Sequence, residues 1–262
     1  MLKSAPKPYI GITGFTKREQ VQRLLDHELL FERDDFMFMI GALASKKTLR
    51  GLPTKYPIRY PKIEDLGKIF VGSPYCLNLV HYHCDPSEFS ADDLIKIHSM
   101  AGDVMNGFQL NITWPDPAEI KKYLAVYPDS KIVLQVGNEA FDEIHKDPTE
   151  LTSKVITDYM DCIDYVLLDA SAGQGIQIDY HEKYFRYLRD LKSSGVLNVI
   201  RAGVAGGFCS TNVVDVDELF ADVGCYLSID AEGKLRNPDT DELIMEEVFA
   251  YANTFIVWFL MP

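Results

Sequence analysis

Asp164-Tyr165-Val166-Leu167-Leu168-Asp169-Ala170-Ser171-Ala172-Gly173-Gln174-Gly175 is the stretch that decides how this chain folds. A short apolar run ends on a carboxylate and passes at once into a Gly-rich turn. In a parallel α/β protein such a run is a strand buried on both faces, and its carboxyl end is where active sites are built. Asp169 is therefore the first candidate for chemistry. The plainer alternative is that it caps the turn through the amides of Ser171 or Ala172.

Outward from this strand, apolar runs alternate with amphipathic stretches along the whole chain. The expected strands are Tyr9–Thr13, Phe36–Ala42, Tyr75–His81, Gly107–Asn111, Lys131–Val136, Asp164–Asp169, Asn198–Val204 and Cys225–Ile229. The expected helices are Lys17–Phe31, Ser90–Val104, Pro117–Val126, Tyr180–Ser194, Thr211–Phe220 and Asp241–Ala252. Thr16 with Glu19 reads as a capping box, Pro117 as a first helical residue and Gly195 as a helix end. Lys46–Lys68 reads as a long loop with a short helix. Eight strands with interleaved helices in 262 residues predict an α/β protein, a single (β/α)8 TIM barrel spanning residues 1–262.

Composition narrows the partners. Hydrophobic residues make up 47%, enough for a sizeable core, and the net charge is −13 from 39 acidic and 26 basic residues. That balance disfavours nucleic acid and anionic membrane surfaces as partners. The five cysteines, Cys76, Cys84, Cys162, Cys209 and Cys225, form no C-x-x-C pair and read as reduced thiols of a cytoplasmic chain. Met1–Pro8 has no apolar signal core, and the Phe255–Met261 run is too short to span a membrane. It reads as the last helix closing on the barrel.

Several motifs add to this reading by resemblance. Tyr9-Ile10-Gly11-Ile12-Thr13, Gly107-Phe108-Gln109-Leu110-Asn111, the Asp169 segment, Val204-Ala205-Gly206-Gly207-Phe208 with Asn212-Val213, Gly224–Lys234 and Leu235-Arg236-Asn237-Pro238 follow one another in a familiar order. In order and spacing they resemble phosphoribosylanthranilate isomerase, over most of the chain. The resemblance implies a ribulose-phosphate-binding type of barrel, with Asp169 as general acid in an aldose–ketose isomerisation. It also implies a phosphate held after strands seven and eight, by Gly206, Gly207 and Ser228, with Arg50 as the nearest match to an arginine after strand two. Two departures stand out. Ile10 holds the place of the family's general-base cysteine, so efficient turnover of that family's substrate is not expected, and Ile10→Cys is expected to raise any trace activity. Asp230 falls in the expected phosphate loop, where its charge would oppose an anion.

His81-Tyr82-His83-Cys84-Asp85 supplies a replacement base. Alternation along strand three puts His81 and His83 on one side, where an imidazole can act as a base near neutral pH or bind zinc. A structural imidazole at the rim is the other reading. Asn111, Gln135, Asn138 and Glu139 end strands four and five and can hydrogen-bond a polar ligand or the turn backbone. Arg201 is an anion anchor if it faces inward and a surface partner if outward. The expected ligand is a small molecule, a sugar phosphate or a similar anion, with no cofactor and no metal. The alternatives are a binding-only relative that has lost its chemistry, and a metal-dependent hydrolase using His81, His83 and Asp169.

Overall fold

The computed structural model describes residues 4–26, 35–169, 171 and 179–260. Eight parallel strands close into a barrel in sequence order. They are β1 Tyr9–Thr13, β2 Met37–Ser45, β3 Cys76–His83, β4 Gly107–Leu110, β5 Lys131–Val136, β6 Tyr165–Asp169, β7 Arg201–Ala205 and β8 Ser228–Ala231. The helices are α1 Arg18–Leu25, α2 Lys46–Leu49, α3 Leu66–Ile69, α4 Ala91–Ala101, α5 Pro117–Val126, α6 Asn138–Glu143, α7 Pro148–Lys154, α8 Tyr180–Ser193, α9 Asp217–Val223 and α10 Met245–Leu260.

Local signals explain most of these elements. Asp116 caps α5 through the Ala118 amide, with Pro117 in the first turn. Asp179 caps α8 in the same way through Glu182, and the chain turns at Gly195 soon after α8 ends. At α1 the cap differs from the expected one. Gln20, not Glu19, reaches back, and its side-chain oxygen accepts from the amides of Thr16 and Lys17. The predicted end of that helix, 27–31, and the Gly173 turn after β6 lie outside the described residues.

The side chains divide into two shells by strand alternation. Ile10, Ile12, Phe38, Ile40, Val80, Phe108, Ile132, Leu134, Val166, Leu168, Val204 and Ile229 face the helices and form the larger core. Tyr9, Met39, Leu77, Leu79, Val133, Tyr165 and Leu167 face inward and fill the lower barrel, and Ala205 faces inward at the carboxyl end of β7. The N-terminal segment crosses the barrel bottom. There Tyr165 donates to the Lys7 carbonyl, and Arg201 donates to the carbonyls of Pro6 and Tyr226. At the other end of the chain, Phe255 packs edge-on against Phe36 and Phe220, so α10 closes on the barrel as read.

Three sequence expectations need correction here. The eighth strand is Ser228–Ala231, not Cys225–Ile229. Its interior register puts Ser228 at the bottom, where its hydroxyl accepts from the Tyr9 amide, and lifts Asp230 into the barrel. The helix expected at Thr211–Phe220 begins as a 3-10 turn at Val213–Val216 and becomes α-helical only at Asp217. Finally, Ile10 faces the helix shell, because Gly11 and Thr13 hold the inward positions of β1 against Asp230. A cysteine at position 10 would point away from the mouth, so Ile10→Cys is no route to activity.

Candidate active site

The carboxyl ends of the strands surround a cavity of about 510 Å³. His81 and His83 of β3, Gln135 of β5, Asp169 of β6 and Asp230 of β8 line it, joined by Asn111 and by Gly206 and Gly207. Tyr56, Arg59 and Tyr60 come over it from the long segment between β2 and β3, and Glu232 enters from the loop after β8.

The floor is a hydrogen-bonded chain between two buried carboxyl groups. The Gln109 amide donates to Asp230 at 2.9 Å and to the Gln135 oxygen at 3.1 Å. Gln135 in turn donates to Asp169 Oδ2 at 2.8 Å. Thr13 adds a hydroxyl to Asp230 at 3.2 Å, and Ser171 gives Asp169 Oδ1 both its amide, at 2.9 Å, and its hydroxyl, at 2.6 Å. Asp169 thus caps its own turn and faces the cavity at once. Both of its carboxyl oxygens accept hydrogen bonds, Oδ1 from Ser171 and Oδ2 from Gln135.

Asp230 is the carboxyl group whose titration the barrel interior shifts. Burial pushes its pKa up to about 7. The Gln109 and Thr13 bonds pull the other way, and the charges of Glu232 and Asp169 add to the rise. A carboxyl that titrates near neutrality suits general acid–base work. Sequence reading missed it by ending β8 at Ile229. The alternation from Ser228, carried one residue past Ile229, would have found it.

The imidazoles are set apart by their surroundings. Burial drops the His81 pKa to about 4, with His83 adding to the fall and Asp169 opposing it. His81 is therefore a neutral ring at physiological pH, and its Nδ1 is buried without a hydrogen-bond partner. His83 approaches the Asn111 carbonyl at 2.9 Å through Nδ1. A carbonyl only accepts, so the proton lies on Nδ1 and the other nitrogen is left for a ligand or solvent.

The remaining predicted residues divide cleanly. Arg50 pairs with Glu88 at 2.9 Å on the surface and is not part of the cavity wall. Arg201 and Ser228 sit at the opposite end of the barrel, as described above. Glu139 accepts from Thr113 on the exterior. The cation at the mouth is instead Arg59, which sequence reading did not single out because its segment has no regular pattern. Its Nε lies 2.7 Å from Asp241, and its Nη1 lies 3.4 Å from Glu232. Arg236 also pairs with Glu232, at 3.2 Å. Among the described residues no group of three His, Cys, Asp or Glu side chains converges as metal ligands, so geometry lends nothing to the hydrolase reading.

A closed eight-stranded barrel with a polar mouth at its carboxyl end is the architecture of many small-molecule enzymes. Two solved structures share it. Phosphoribosyl anthranilate isomerase from Thermus thermophilus superposes with a TM-score of 0.61, covering 94% of this chain and 98% of that one at 16% identity. Triosephosphate isomerase from Bartonella henselae gives a TM-score of 0.52, covering 95% and 99% at 11% identity. At these identities the likeness is one of fold. No protein-family model matches the sequence, and the curated proteins give no sequence match.

Proposed function

We propose that this barrel is an acid–base enzyme that shifts a proton between adjacent carbons of a small hydroxylated carbonyl compound, an isomerisation of the aldose–ketose type. One observation carries the reading: two buried carboxyls, Asp169 and Asp230, bridged by Gln109 and Gln135 on the floor of a cavity that neutral His81 also lines. As a carboxylate, Asp230 takes the proton from the hydroxyl-bearing carbon beside the carbonyl and returns it to the former carbonyl carbon, while His81 gives its ring proton to the carbonyl oxygen and takes one back from the neighbouring hydroxyl. His81, uncharged, donates a hydrogen bond to the oxygen on which negative charge develops. A carboxylate base beside a neutral imidazole is a recurring solution to this chemistry. Asp169, expected from the sequence to be the acid, serves here to bind a substrate hydroxyl and to fix the Gln135 amide.

The test is solvent exchange. The protein is incubated with free and phosphorylated aldoses and ketoses in D2O, and deuterium at the carbons flanking the carbonyl is followed by NMR. Asp230→Asn should lower the rate by about 10²–10⁴-fold. The engagement of both Asp169 oxygens, Oδ1 by Ser171 and Oδ2 by Gln135, favours a second reading, a ligand-binding barrel without chemistry. Sugar binding with no deuterium incorporation in the wild type would select it.

A further inference from the structure

The sequence leads one to expect a phosphorylated ligand, and barrels of this kind hold phosphate on the loops after strands seven and eight. Here that region already contains an anion. Glu232 follows β8 directly, and its carboxylate lies between the guanidinium groups of Arg59 and Arg236. The pairing is built in. The Arg236 side chain is only 2% exposed, and its guanidinium fills the space over Gly14, where a Cβ would come within 1.9 Å of Nη2. Arg59 is held at its other edge by Asp241. Both cations are thus engaged before any ligand arrives, and a phosphate placed beside them would face the Glu232 carboxylate.

The rest of the cavity is made for hydroxyl groups. Asp169 and Asp230 present acceptor oxygens. The buried His81 Nδ1 has no partner in the protein, which calls for a ligand or water to complete it. A cavity of about 510 Å³ suits a small sugar-sized molecule.

We propose that the cavity takes an uncharged, polyhydroxylated carbonyl compound, and that Glu232 is an internal substitute for the phosphate such barrels otherwise draw from the ligand. This rests on the reading of the barrel mouth as the ligand site. It does not require that chemistry occurs there.

Binding to the wild-type protein is measured by calorimetry and ligand-observed NMR with D-ribose, D-xylose, D-glucose, ribose 5-phosphate and inorganic phosphate. At least one free sugar should bind. Ribose 5-phosphate should bind no more tightly than ribose, and inorganic phosphate should not bind below tens of millimolar. Glu232→Gln removes the carboxylate that the two guanidinium groups share, although Arg59 keeps its pairing with Asp241, and should tighten binding of inorganic phosphate and ribose 5-phosphate at least tenfold relative to ribose. Wild-type preference of tenfold or more for ribose 5-phosphate over ribose would overturn the proposal. So would the absence of binding by every free sugar, or a folded Glu232→Gln protein with unchanged phosphate affinity. If the variant does not fold, the wild-type ratio of ribose to ribose 5-phosphate affinity decides alone. Free-sugar binding without proton exchange would support this proposal and sink the acid–base reading.

Discussion

Replacing Asp230 by Asn should make the protein more stable at alkaline pH while removing the proposed proton transfer. The reason is linkage. Folding raises the Asp230 pKa from an ordinary 3.8 to about 7, so the folded state binds the proton more tightly than the unfolded chain. Stability from this group is complete below pH 3.8 and is lost as pH rises through about 7. At about 1.4 kcal/mol per pH unit, the whole effect is on the order of 4 kcal/mol, and roughly half of it falls between pH 5.5 and 8.5. Asn escapes this slope because it does not ionise. It gives up part of the donor shell from Thr13 and Gln109, a loss of about 1–2 kcal/mol at either pH. Urea unfolding of both proteins at pH 5.5 and 8.5 should therefore show the variant gaining about 2 kcal/mol on the wild type across that interval. Identical pH dependence of the two, within about 0.5 kcal/mol, would refute the argument that Asp230 is a buried, titrating carboxyl.

Other consequences follow from named contacts. Gly14→Ala forces a side chain onto the Arg236 guanidinium at a backbone φ of +115°, and should destabilise the fold by about 2–4 kcal/mol in denaturant titration. The His81 imidazole, neutral by burial with a pKa of about 4, should keep its nitrogen-15 shifts constant from pH 8 to pH 5.5. Arg50→Ala breaks an exposed ion pair with Glu88 and should change stability by less than about 1 kcal/mol and sugar binding not at all. Tyr123→Phe removes the hydroxyl that links His98 Nδ1 at 2.6 Å to Ser130 Oγ at 2.7 Å, and should cost about 1–3 kcal/mol in the same unfolding assay.

The barrel was legible because its strands are apolar on both faces and short, so each stands out between amphipathic helices. Asp169, His81 and His83 were legible for a related reason: each is a polar side chain at the carboxyl end of such a run, and all three reach the cavity. Asp230 was not. Its strand is only four residues long, and the apolar Tyr226-Leu227 just before it drew the reading too early. Its partners Thr13 and Gln109 lie 217 and 121 residues away. No local pattern announces a carboxyl that is made tolerable by donors from two other strands. Arg59 was hidden for the opposite reason, since its irregular segment carries no periodicity and only its partners Asp241 and Glu232 give it a place. Arg201 and Ser228 show the cost of a misplaced strand end. Both are interior or rim residues, but at the end of the barrel opposite the cavity.

Carboxyl carbon-13 NMR on protein labelled at aspartate, with Asp230→Asn to assign the signal, tests the account most directly. The Asp230 resonance should titrate with a midpoint of about 7 and should move when a free sugar is added. A midpoint near the ordinary 3.8, with no response to any sugar, would contradict it.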